Sequence, residues 1–318
     1  MSVRLLAAGG TIAMSGDDGA VPVLDAQTLA RAVPDVRWAG VEQVLNKPGP
    51  QMTAADALGM ARAAAGAAAS GDGIVVTHGT DTLEEVAFLC DLIYAGEAPI
   101  VFTGAIRPAT SYGADGPANL AAAAHAASAR EAAGLGVLVC FAGELHAARA
   151  VRKDDSTSPR AFLSPQGGPL GWVGDEGLRI AARPARRPAL DVRSLDARVE
   201  TAVAGVAGDG AAVDALLGTG ADGLVAVVLG AGHAPPAFLT ALREAARRVP
   251  VVVTVRPSRG EILHGTYGFE GSERDLRAAG VVCAAALSPA AARIKLLACL
   301  GAGLDRAGIA AAFAPDDL

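Results

Sequence analysis

Short apolar runs alternate with alanine-rich stretches of helix length along most of this chain. The runs at 5–7, 74–77, 100–102 and 137–140 are short and almost wholly apolar, as expected of strands buried on both faces. Between them, 54–69, 83–94 and 118–132 mix alanine with Leu, Met and Val over lengths that suit helices. Strand and helix in alternation require a mostly parallel sheet covered on both sides, so the expected fold class is α/β. The pattern breaks at Arg183-Pro184-Ala185-Arg186-Arg187-Pro188, where prolines and charges cluster. A larger domain at 1–187, a linker at 188–198 and a smaller α/β domain at 199–318 are expected. The second domain has strands near 199–204, 223–229 and 251–254, and helices near 213–217 and 236–248. Its last helix, 288–300, has Ser288 as cap and Pro289 at the first helical position.

With 318 residues, 52% of them hydrophobic, the chain can bury a large core. A net charge of −6 without basic clusters argues against nucleic acid, and no apolar run reaches membrane-spanning length. Met1-Ser2-Val3-Arg4 enters the first strand directly, so no secretory signal is expected and the cytoplasm is the expected compartment. Cys90, Cys140, Cys283 and Cys299 lack metal or redox spacing and are expected as buried free thiols. Glu144 and His146 follow a strand and read as surface polar residues rather than ligands. No metal or cofactor is expected.

Two strand-to-turn segments carry the chemistry. His78-Gly79-Thr80-Asp81-Thr82-Leu83-Glu84-Glu85 follows an apolar run and leads into a helix, placing two hydroxyls and a carboxylate where α/β sheets build sites. Thr82 and Glu85 have capping-box spacing, and the acids of the first turn suit the helix dipole. Near the N-terminus, Gly9-Gly10-Thr11 follows another strand; the paired glycines allow a tight turn or close approach. Neither segment matches a dinucleotide or phosphate-loop fingerprint.

Gly9-Gly10-Thr11-Ile12-Ala13 together with the octapeptide resembles the bacterial-type L-asparaginase/glutaminase family. The resemblance continues in Gly104-Ala105-Ile106-Arg107-Pro108, Ala114-Asp115-Gly116-Pro117-Ala118-Asn119-Leu120, Val151-Arg152-Lys153, Gly230-Ala231-Gly232-His233 and Ala292-Arg293-Ile294-Lys295-Leu296. These marks stand in the family's order over nearly the whole chain. The resemblance implies hydrolysis of L-asparagine, or of glutamine or a modified amide, with Thr11 as nucleophile and Thr80, Asp81 and Lys153 as its catalytic partners. It places Gly49, Pro50, Thr80, Asp81 and Ala105 on the substrate. It also implies a glutamate from a neighbouring protomer, matched best by Glu273 with Glu270 as the other choice. A homo-oligomer follows, a tetramer built from tight dimers.

A lysine can take a proton from a hydroxyl where an arginine cannot, and this chain holds 24 arginines against three lysines, Lys47, Lys153 and Lys295. Backbone N–H groups of the two threonine turns are candidate oxyanion donors. Arg107 and Asp115 read as scaffold, either as an ion pair or with Asp115 capping a helix. Two features depart from the family. The loop Ser15-Gly16-Asp17-Asp18-Gly19-Ala20 lacks the usual lid tyrosine, and the first tyrosine of the chain is Tyr94. Gly49 replaces a serine whose hydroxyl holds the substrate carboxylate, which predicts weak affinity for free asparagine or a preference for a modified or larger amide. An asparaginase-like protein that binds amino acids without efficient turnover is the competing expectation.

Overall fold

A computed structural model describes residues 1–16, 18–284 and 287–314, in two units, Met1–Ala189 and Leu190–Leu318. In the first unit, Val3–Gly9 (β1) is apolar at nearly every position and buried along most of its length. A 3-10 turn, Thr11–Ala13, leads to a hairpin of Met14–Ser15 (β2) and Val21–Pro22 (β3). Helix Ala26–Arg31 (α1), capped by the Asp25 carboxylate, precedes strand Trp38–Lys47 (β4). Helix Ala54–Ala68 (α2) opens with a reciprocal capping box between Thr53 and Asp56. Then come Gly73–Thr77 (β5), Leu83–Ile93 (α3), Ile100–Thr103 (β6), Gly116–Ser128 (α4) and Val137–Phe141 (β7). Glu144–Ala147 (β8) turns back antiparallel to β7. Arg152–Lys153 (β9) pairs with Phe162–Leu163 (β10), and Gly171–Gly174 (β11) with Gly177–Ile180 (β12).

These strands form an eight-stranded sheet in the order β12-β11-β8-β7-β6-β5-β1-β4, parallel from β4 to β7 and antiparallel beyond. Helices α1 and α4 cover one face, and α2 and α3 the other. Coverage on both sides explains why β5 and β7 are buried at every residue. Fully burying a side chain such as Leu5, Leu89 or Phe102 contributes roughly 1.5–3 kcal/mol.

The chain leaves β1 toward β4 on one side, and from β5 it runs to β6 and β7 on the other. The order reverses between β1 and β5, so the crevice at their carboxyl ends is the topological switch point. Both threonine turns begin there.

In the second unit, Val199–Val203 (β13), Gly223–Val228 (β14), Val251–Val255 (β15) and Val282–Cys283 (β16) form a parallel sheet in sequence order. Ala211–Gly218 (α5), Pro236–Arg248 (α6) and Glu273–Ala278 (α7) contribute to its hydrophobic cluster. Pro289–Gly301 (α8) packs on β13, β14 and β15, and Arg306–Ala312 (α9) packs against α8. Ser288 caps α8 with Pro289 in its first turn, as expected. Among the described residues no helix is long and apolar enough to cross a membrane.

Several local expectations are corrected. Thr82 sits at the N-cap of α3 but makes no side-chain cap; its hydroxyl donates instead to the Gly49 carbonyl at 3.3 Å. Asp115 precedes α4 without capping it, because its carboxylate accepts from the backbone N–H groups of Ile106 and Arg107 and from Asn119 Nδ2. The Arg107 guanidinium donates to the Gly113 carbonyl rather than pairing with Asp115. His146 is fully buried rather than on the surface, since β8 extends the sheet and β11 covers its flank.

Candidate active site

β1 and β5 lie side by side with Ala7 opposite Thr77, so the turns that follow them emerge together. They meet backbone to backbone. A Cβ at Gly10 would lie 2.3 Å from Gly79 Cα, and Gly10 also has φ +79°. A Cβ at Gly79 would lie 2.8 Å from the Gly49 amide nitrogen. Glycine is therefore required at both positions by contact, and at Gly10 also by conformation. The turn after β6 joins them, with Gly104 against the His78 carbonyl.

Thr11 opens its 3-10 turn half-buried, while Thr80 is buried and Asp81 exposed. Lys153 approaches from β9. Its Nζ lies 2.9 Å from Thr80 Oγ1 and 2.7 Å from Asp81 Oδ1, with 19% of the side chain exposed. A mostly buried amine between a hydroxyl and a carboxylate can exchange a proton with the first while the second orients it. Gly49 is buried in a 3-10 turn after β4, facing Asp81 and Thr82; Pro50 beside it is exposed. Ala105 is fully buried at the end of the β6 turn. The segment 15–20 runs from the end of β2 to its paired strand β3; Asp17 lies outside the described residues.

Comparison with known proteins identifies the family. Residues 2–186 match the family model described as Asparaginase, N-terminal, and residues 198–313 the Glutaminase/Asparaginase C-terminal domain. The chain belongs to the asparaginase family. Among its relatives is a "Probable L-asparaginase" of Deinococcus radiodurans, 39% identical over 277 residues that span 85% of this chain and 84% of that protein. A "Probable L-asparaginase periplasmic" of Haemophilus influenzae is 34% identical over 310 residues, 93% and 87% of the two chains. A crystal structure of a probable cytoplasmic L-asparaginase from Campylobacter jejuni covers 98% of each chain with a TM-score of 0.87 and 30% identity.

Other residues of this asparaginase-family chain emerge only in three dimensions. His78, fully buried, holds Nδ1 2.9 Å from the Gly79 carbonyl; a carbonyl only accepts, so the proton sits on Nδ1. Burial pushes its pKa below the usual imidazole range, and the Gly79 carbonyl opposes the shift only in part. Glu84 accepts a hydrogen bond from the Lys153 backbone N–H. Burial raises its carboxyl above the usual range, against that bond and the nearby Arg152 and Lys153 charges. In sequence Glu84 was visible only as an acid in a first helical turn.

Glu273 belongs to the second unit, where it opens α7 and is fully buried. Its Oε1 accepts from the Tyr267 N–H at 2.8 Å, and Oε2 lies 3.4 Å from His233 Nε2. Burial pushes this carboxyl up, but the backbone N–H groups and His233 together hold it below the ordinary value. Glu270 is exposed.

Proposed function

We propose that this protein is an L-asparaginase, hydrolysing the side-chain amide of L-asparagine to L-aspartate and ammonia through a threonine nucleophile. The observation that carries the assignment is the placement of Lys153 Nζ on Thr80 Oγ1 and Asp81 Oδ1, beside the turn that bears Thr11. The names of its relatives support the same activity.

In this reading the Thr11 oxygen attacks the amide carbon, and its proton passes through Thr80 to the Lys153 amine. Backbone N–H groups of the apposed turns stabilise the oxyanion; one well-aimed donor contributes on the order of 3 kcal/mol. Lys153 returns the proton to the departing nitrogen, which leaves as ammonia. Water then attacks the aspartyl-threonine ester, releasing aspartate and restoring the hydroxyl. Asp81 holds Lys153 and accepts the substrate ammonium; Glu273, expected to join it from a neighbouring protomer, is fully buried within its own unit and would have to be uncovered to do so. Gly49, Pro50 and Ala105 line the substrate. The working form is a homo-oligomer, a tetramer of tight dimers, located in the cytoplasm; its free thiols support that compartment.

Thr11→Ala, Thr80→Ala and Lys153→Met are each expected to cut ammonia release by roughly 10³-fold or more, as when one member of a catalytic unit is removed, with circular dichroism unchanged. Mass spectrometry of the parent protein, acid-quenched during turnover of asparagine, should find an aspartyl ester on the Thr11 peptide. An ester on the Thr80 peptide would exchange the two roles. Aspartate binding in calorimetry without any turnover by the parent protein would refute hydrolysis.

A further inference from the structure

The stretch from Thr80 to Glu84 touches Lys153 at two levels. Thr80 and Asp81 meet its ammonium nitrogen, and Glu84, one helical turn later, holds its backbone N–H. We propose that Glu84 is a positioning residue for the reaction, setting the height of β9 so that the Lys153 amine reaches Thr80 Oγ1. This rests on the catalytic reading of Lys153 given above.

The geometry separates this task from general support of the helix. Lysine is a long flexible side chain, and two contacts at its tip do not fix where its Cα sits. β9 pairs with β10 over two residues, and the Asp154 N–H donates to the Ala161 carbonyl, but these bonds hold the hairpin together without fixing its height against α3. The carboxylate of Glu84 supplies that fixed point, from the first turn of α3 just after Thr80 and Asp81. The far strand of the hairpin is fastened independently. Ser164, just past β10, has Oγ 3.0 Å from Nδ1 of buried His146, and the Phe162 and Phe141 rings lie 4.8 Å apart. Loss of Glu84 therefore releases β9 at the lysine while leaving the hairpin attached.

Glu84→Ala is expected to lower kcat for asparagine 10- to 100-fold with KM within about threefold, since a displacement near 1 Å can cost that much. Glu84→Gln should keep kcat within about fivefold of the parent, because the amide oxygen accepts the same N–H. Glu85→Gln, which removes a charge from the same helical turn, should leave kcat unchanged. Full kcat in Glu84→Ala overturns the proposal, as does a Glu84→Gln variant as slow as the alanine variant. If Glu84→Ala does not fold, Glu84→Asp withdraws the carboxylate by one methylene: a reduced kcat in folded protein is expected, and full kcat overturns the role. Lys153→Met separates the two readings. If it stays active, the lysine mechanism and the positioning role both fall; if it is inactive while Glu84→Ala is fully active, only the positioning role falls.

Discussion

Gly49 shows how one missing side chain shifts a binding site. A Cβ there would meet Asp81 Cβ at 3.3 Å and Thr82 Oγ1 at 3.4 Å, so a serine fits only if those neighbours yield by a few tenths of an ångström. Asp81 is the residue tied to Lys153. Gly49→Ser should therefore strengthen asparagine binding and disturb the relay together. We expect KM to fall by about fivefold or more, the effect of one added hydrogen bond of 1–3 kcal/mol, with kcat reduced. Steady-state kinetics on asparagine, glutamine and an N-substituted amide measure both, and an unchanged KM would show that position 49 does not govern carboxylate binding. At this scale the sequence disclosed residue types more readily than partners. Thr11, Thr80 and Lys153 stood out because a turn after a buried strand, or a rare lysine among arginines, is visible locally. Glu84 did not, because the N–H it holds lies 69 positions away.

Among the elements that escaped the sequence were strands toward the two ends of the large sheet. Trp38–Lys47 carries Glu42, Gln43 and Asn46 among its apolar residues, since an edge strand is partly exposed, and its pattern does not read as a buried strand. Glu144–Ala147 looked like surface for the related reason that its burial depends on β11 arriving later in the chain. Inside that edge sits His146, whose pKa burial pulls down to about 4 despite the opposing Glu144 carboxylate. The unfolded chain binds a proton at this residue below its ordinary pKa of 6.5, and the folded chain resists until about 4. Stability should therefore be complete above about pH 6.5 and decline as pH falls toward 4, by an amount on the order of 3 kcal/mol from this residue. Buried His78 adds in the same direction. Urea unfolding of the parent and His146→Gln across that range tests this. The variant should show a shallower decline, and parallel curves would remove His146 as the cause.

Across the whole molecule, the alternation of strands and helices in both units was readable because parallel sheets need short, near-continuous apolar runs joined by crossover helices. If Glu273 serves a neighbouring protomer, a Thr80→Ala chain and a Glu273→Ala chain, each inactive, should complement after joint refolding. Random pairing in dimers leaves about a quarter of the sites intact, so about a quarter of parental activity is expected. No recovery would place each site within a single chain. The cysteines offer a way to watch each unit open. Cys90 and Cys140 are sealed in the first unit, and burial holds the Cys140 thiol up at about 12. Cys299 is sealed in the second unit, where Cys283 is only half-buried. A colorimetric thiol reagent would therefore react first at Cys283, and peptide mapping of the remaining modifications would time the rupture of each core separately, with no probe engineered into the chain.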